Sequence, residues 1–479
     1  MSVMSRIKGA VAPQENEHRD EYRRSLMHDP IPQSEMNRMV IDSMQRIDRT
    51  FIVVILLLAA VAAGGFLGAW GYQLRWGMGV AGLRRPVYWG TYIATFVFWV
   101  GISHSGTFVS AILRVFKVEF RRPFTRAAEL MTSASLLLAI AFIAVHAGRT
   151  WRGYLILPYP NQRTLWSNFH SALLWDTFAL IAYLTGSTLY LFLPLIPDLA
   201  MARDNTSGWR QKLYRVLSLG WRGSEEQWHT LHKIIKVFSF VIIPVMFSVH
   251  TIVSWDFAMS KVIGWRSSIF GAYFVTGAIF SGVSAVVNIL YLVRYNMKLH
   301  YFIREEHFDA LGKLMLVFSF AWTYFFFSDF LVEWYGGDAI GHALLSLQTK
   351  GAVAPFWYVM IACNIVIPWL TLWSRKIRTS PAALFIIALL VNVGMYLERF
   401  IIVTGFARRN RLPFNWGDYQ PTLIELAIFA GSVAAFLLIY GVLTRVFPII
   451  PVWEVREGHV AHKLRRVGRA SVSSVAELE

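Results

Sequence analysis

The sequence predicts an all-α integral membrane protein with about ten spanning helices. Three observations carry that expectation. The chain is 56% hydrophobic and 15% aromatic but only 16% charged, where a soluble domain carries about 25% charged residues. A soluble protein of 479 residues could not hide that much apolar surface in one or two cores. The apolar residues also fall into ten separate runs, each close to the ~20 residues that cross a bilayer. Finally, the Pro, Gly, Arg and Asp residues collect in the connectors. Helices follow rather than strands, because an open sheet leaves backbone groups unsatisfied in lipid.

Residues 1–50 form a polar tail of mixed charge. It lacks the short apolar region of a cleavable leader, so the first run is expected to stay attached. The runs are 51–70, 87–113, 127–147, 168–194, 233–253, 269–293, 310–332, 354–373, 382–403 and 423–447. Helix two opens with Gly90, Tyr92 and Thr95, and helix six with Gly271, Tyr273 and Thr276. A basic connector follows each, and the next helices start with Leu130-Met131 and Leu314-Met315. This pattern reads as two parallel four-helix units, helices two to five (87–268) and six to nine (269–403). A first helix and loop (51–86), a last helix (404–447) and a C-terminal tail (448–479) flank them. The tail, with Ser471, Ser473 and Ser474, is expected to be disordered.

The net charge of +17 does not point to nucleic acid, because the basic residues sit in short connectors between apolar runs. The two tails and the even-numbered loops hold 29 Lys and Arg, the odd-numbered loops 12. The positive-inside rule then places both termini in the cytoplasm of a multi-pass protein in a bacterial inner membrane. Anionic membrane lipids are the expected contacts of the basic loops.

The single cysteine, Cys363, cannot form an internal disulfide or hold an iron–sulfur cluster, which needs about four ligands. His104, His146, His170 and His250 lie at scattered depths, and His229 and His232 precede helix five. No haem is expected.

Charged and titratable groups inside a span cost about 2.5–3.5 kcal/mol at its centre, so those present are informative. With this topology His146, Asp176, His250, Asp256, Asp329, Glu398 and Arg399 fall in the outer third of the membrane. Ion transporters place such acids near the midplane. Acids, histidine and arginine at outer depth, among many Trp and Phe, suit a quinol, whose oxidation needs acceptors for two protons. Each residue also has a structural reading. Asp176 can pair with Arg399, His146 can sit at headgroup level, and Asp256 can belong to a loop. Asp329 and Glu333 can be the polar end of helix seven. Glu398 and Arg399 point about 100° apart on a helix, so separate partners are expected. His104 lies about 26 Å into helix two, nearer the cytoplasmic face. It belongs to a proton path with Asp329 and Glu333, or is bonded to a neighbouring helix.

At these residues the chain resembles the polysulfide-reductase or NrfD-like membrane subunits, and within them the larger, ActC-type subunit of alternative complex III. The segments that carry the resemblance are Ser103–Thr107, Tyr159–Phe169, Leu173–Asp176, Ser248–Phe257, Glu398–Phe400 and Asn415–Tyr419. The resemblance implies a subunit without a redox cofactor that binds menaquinol as substrate. It places His146, Asp176, Asp256 and Arg399 in the pocket, with His250 and Glu398 beside them. It implies a periplasmic iron–sulfur or molybdopterin-like subunit, multihaem cytochrome c subunits and a second NrfD-like subunit as partners. A periplasmic cytochrome c or copper protein would be the acceptor. Proton translocation is suggested for the family, and the residues neither support nor exclude it. The expected activity is quinol oxidation with electrons leaving to a partner. The alternatives are a quinone-reducing anchor of a polysulfide or molybdopterin oxidoreductase, and a non-redox ion translocator or scaffold.

Overall fold

The computed structural model describes residues 31–157, 172–258, 264, 265, 267–336, 339–409, 414, 416–461, 464–467 and 470–473. The Tyr159–Phe169 segment, His170 and Asn415 lie outside the described residues. Among the described residues, ten helices are long and apolar enough to cross a membrane. Spans 1 to 5 are Arg49–Trp76, Gly90–Val115, Thr125–Ala147, Ala172–Asp204 and Glu225–Ala258. Spans 6 to 10 are Phe270–Asn296, Glu305–Tyr335, Ala354–Thr371, Pro381–Arg408 and Leu423–Val446. The chain is therefore an all-α multi-pass membrane protein. Its surface agrees: no residue of Arg49–Val61 is buried, although that stretch is nearly all Val, Ile, Leu and Ala. Lipid is the solvent such a face needs.

Several spans outrun the apolar runs. Span 5 starts at Glu225 and ends at Ala258, and span 4 continues past Pro194 and Pro197 to Asp204. Helical hydrogen bonding does not stop where hydrophobicity does. The Pro194 carbonyl is taken by Arg126 Nη2 at 2.8 Å and Trp453 Nε1 at 2.9 Å. Beyond the spans, Gln33–Gln45 forms a helix that buries Met36, Val40, Ile41 and Met44. The polar tail residues Leu464–Val467 and Ala470–Ser473 pair as an antiparallel hairpin with Leu464 opposite Ser473. The hairpin replaces the disorder expected there, and Val467 and Val472 favour its extended backbone.

Spans 2 and 6 form the centre and are buried along most of their length. Each packs against the other and against spans 5 and 9. Small residues allow the approach. Gly282 lies so close to Ser105 that a Cβ has no room, and Ser105 Oγ donates to the Ala278 carbonyl at 2.5 Å. Spans 1 and 10 meet in the same way through Gly65 and Gly431. The odd-numbered loops lie together at one end of the bundle, called here the odd-loop end. The termini lie at the other.

Candidate functional site

Asp176 lies in the first described turns of span 4 and Asp256 in the last described turn of span 5. Both belong to the odd-loop end, and their carboxyls come within hydrogen-bonding reach of each other. Asp176 is 4% exposed, and its Oδ1 has no well-formed hydrogen bond among the described residues. A hydrogen bond between two carboxyls requires a proton on one of them. Two carboxyls this close can share one proton. The preceding residues in each helix, Trp175 and Trp255, stack edge to face at 6.4 Å. The alternative of an Asp176–Arg399 ion pair is not realised, because Arg399 is committed elsewhere.

Arg399 is 2% exposed in span 9. Its Nη2 donates to the Phe274 carbonyl at 3.1 Å, and its guanidinium lies 4.4 Å from the Phe274 ring centre. Its Nη1 lies 3.0 Å from Glu398 Oε2. This corrects the expectation of separate partners: the long arginine side chain folds back across the helix to its neighbour. The contact is ionic without hydrogen-bond alignment. Glu398 Oε1 accepts Trp322 Nε1 at 2.9 Å, and the Tyr273 hydroxyl is within reach.

Two histidines continue this chain towards the first unit. The His250 ring centre is 4.8 Å from Phe274 and 4.9 Å from His104. Among the described residues neither His250 nitrogen makes a well-formed hydrogen bond; the Phe274 carbonyl within its reach receives Arg399. His104 stacks flat on Tyr183 at 4.1 Å, and its Nδ1 is 2.7 Å from the Val100 carbonyl. His104 and His250 are thus in ring contact, although the expected depths set them apart. The Val100 carbonyl belongs to the same helix, so the expected bond to a neighbouring helix is replaced by stacking.

Asp329 is 8% exposed and accepts a hydrogen bond from Ser267. It lines a cavity of about 20 Å³ with Glu333, Glu398, Tyr273 and Gln348, room for roughly one water. Asp329 and Glu333 are thus joined to Glu398, which a merely polar helix end would not be. His146 is half-buried at the end of span 3. Among the described residues it forms no hydrogen bond or ion pair with Asp176 or Asp256, and its Nδ1 has no partner.

Sequence reasoning missed three participants. Tyr183 lies seven residues after Asp176, on the same helical face, and that spacing was readable. Ser267 and Gln348 sit outside the apolar runs and had no such signal.

Known proteins place this arrangement. A family model described as polysulphide reductase, NrfD matches residues 79–407, which covers spans 2 to 9. The chain is 25% identical over 428 residues to a putative dimethyl sulfoxide reductase membrane subunit of Halobacterium salinarum, covering 84% of this chain and 92% of that one. It is 24% identical over 426 residues to the Hdr-like menaquinol oxidoreductase integral membrane subunit of Archaeoglobus fulgidus, covering 85% and 95%. It is 21% identical over 429 residues to a selenate reductase subunit of Mesobacillus selenatarsenatis, covering 85% and 96%. With more than half its length matched, the chain belongs to the NrfD family of polysulphide-reductase membrane proteins.

Proposed function

We propose that this chain is the quinone-interacting membrane subunit of an oxidoreductase complex, working in the quinol-oxidising direction as in alternative complex III. The observation that carries the reading is the approach of buried Asp176 to half-buried Asp256 at the odd-loop end. Quinol oxidation releases two protons and two electrons. A carboxyl pair that already shares a proton can take one of those protons and pass another on. The electrons leave to a one-electron metal centre in a partner subunit. The Asp329–Glu333–Glu398 cavity and the His104–His250 contact are further proton-handling groups in this reading.

The related proteins support the quinone and the complex. One is named for menaquinol, and two are named as subunits of reductases. Those two names favour a second reading, in which this chain anchors a catalytic subunit of the polysulfide or molybdopterin type and exchanges electrons with it. The positive-inside count puts the odd-loop end on the periplasmic face and both termini in the cytoplasm.

The test is menaquinol oxidation by the complex purified through a tag on this chain, wild type against Asp176→Asn. Wild-type turnover with loss of most of it in an intact variant complex is the expected result. Equal turnover would make Asp176 structural and remove the proposed proton acceptor. The partners that co-purify separate the two readings: cytochromes c for the first, a molybdopterin subunit for the second.

A further inference from the structure

The carboxyl pair faces span 4, but another face of span 5 borders a much larger space. Phe247, Thr251, Ser254, Trp255 and Ala258 follow helical spacing along that face. With the start of span 6 and Phe325 of span 7 they enclose a cleft of about 660 Å³. That volume is in the range of small-molecule sites, about 300–1,000 Å³. The walls combine aromatic rings, Phe247, Trp255 and Phe270, with the hydroxyls of Thr251, Ser254, Ser267 and Thr276.

The floor of the cleft has a chemical property that its walls do not. Ser267 lines it, and Ser267 Oγ donates to buried Asp329. Asp329 in turn lines the one-water cavity that reaches Glu333. A group in the cleft thus has a hydroxyl within its walls, a carboxylate directly behind, and a water-sized space beyond. Away from Ser267 the lining includes the apolar Phe247, which is exposed, and Val275.

We propose that this cleft is a quinol-ring site, separate from the Asp176–Asp256 pair, with Asp329 as its proton acceptor through Ser267. The ring lies between Trp255 and Phe270, and the isoprenoid tail leaves past Phe247 into the bilayer. As one ring hydroxyl is oxidised, its proton passes to Ser267 Oγ while the serine proton moves to Asp329. The electron goes to the partner's metal centre, and the second hydroxyl, para to the first, gives up its proton and electron in the same way once the ring has turned over in the cleft and Asp329 has discharged through the cavity. An acyl chain would use the aromatic walls equally well but has no need of the serine and the carboxylate behind it. This inference rests on the quinol reading above.

The experiment uses the intact tagged complex. Binding of a fluorescent quinol analogue, 2-heptyl-4-hydroxyquinoline N-oxide, is followed by its quenching, and turnover is measured with a short-tail menaquinol. Ala272 is exposed on the cleft wall, so Ala272→Phe fills the space without entering the core. Ala272→Phe is expected to weaken analogue binding and raise KM at least tenfold. Ser267→Ala is expected to lower kcat with KM nearly unchanged. If Ala272→Phe leaves binding and KM unaltered while Asp176→Asn abolishes turnover, the cleft holds lipid, the proposal is overturned and the quinol reading stands. If both variants are neutral, both ideas fall. Should Ala272→Phe not assemble, photolabelling of the unmodified complex with an azido-naphthoquinone decides. Label on residues 247–258 or 267–276 supports the site, and label confined to other segments overturns it.

Discussion

Asp176 and Asp256 are held by the terminal turns of two different helices, and among the described residues neither has an arginine or lysine as an interaction partner. Their chemistry is therefore that of a unit. Replacing either by asparagine keeps the shape and removes the exchangeable proton. Each single variant is expected to lower quinol-dependent turnover by about 10²–10⁴, the usual contribution of a positioned acid or base. Because the two act together, the double variant is expected to lose about as much as either single one. Steady-state turnover of the four complexes tests this; multiplied losses would show that the two carboxyls work independently. Arg399 makes a contrasting residue-scale case. It reaches both Phe274 and Glu398 and lies 4.4 Å from the Phe274 ring centre, a set of contacts that the point charge of lysine does not reproduce. Arg399→Lys is expected to lower the melting temperature as well as activity, because it leaves Glu398 buried beside a poorly placed cation. An unchanged melting curve would contradict that.

At the scale of elements, hydrophobic run length located all ten spans, because only a helix of about 20 apolar residues satisfies its backbone across lipid. Helix ends were less legible, and so were depths. The run 233–253 stops where Trp255 and Asp256 begin, yet the helix continues to Ala258. The acids of the site could be read as a set because each is costly in lipid. Their pairing could not, since contact between spans 4 and 5 depends on tilt and rotation that no single run encodes. Helix contacts built on glycine lie between these cases. Gly431 has no room for a Cβ against Phe66 of span 1, whereas no described atom lies within 4 Å of a Cβ on Gly64 in that span. Gly431→Ala is expected to cost about 1–3 kcal/mol through overpacking, and Gly64→Ala nothing measurable. Thermal unfolding of the two variants in detergent checks the contrast. Equal stability would mean that spans 1 and 10 separate without cost.

The whole molecule is closed at the termini end by a clasp outside the stretch that matches the family model. Helix Val452–Ala461 lays Glu454 against the end of span 2 and the connector that follows it. Glu454 takes Arg114 Nη2 at 2.9 Å and also pairs with Arg121, its carbonyl accepts Arg122 Nη1 at 2.7 Å, and Trp453 reaches span 4. Glu454 is 1% exposed. Burial alone would push its carboxyl up, but the Arg114 and Arg121 guanidiniums outweigh that and hold it at about 2, below the ordinary 4.5. A carboxyl held low in the folded state stabilises that state fully above its unfolded pKa. The contribution is then lost as the pH falls from 4.5 towards 2. Glu454→Gln leaves Arg121 without its counter-charge and Arg114 with Glu129 alone, 3.8 Å away, a change worth about 3–5 kcal/mol in comparable buried pairs. The variant is therefore expected to melt well below the wild type at pH 7, with a gap that stays constant down to about pH 5 and narrows in more acid buffer. Melting curves of both proteins in one detergent from pH 7 to pH 3.5 give the answer. A gap that does not narrow in acid would mean that Glu454 acts through packing rather than charge, and no gap at pH 7 would mean that the C-terminal helix does not hold the bundle together.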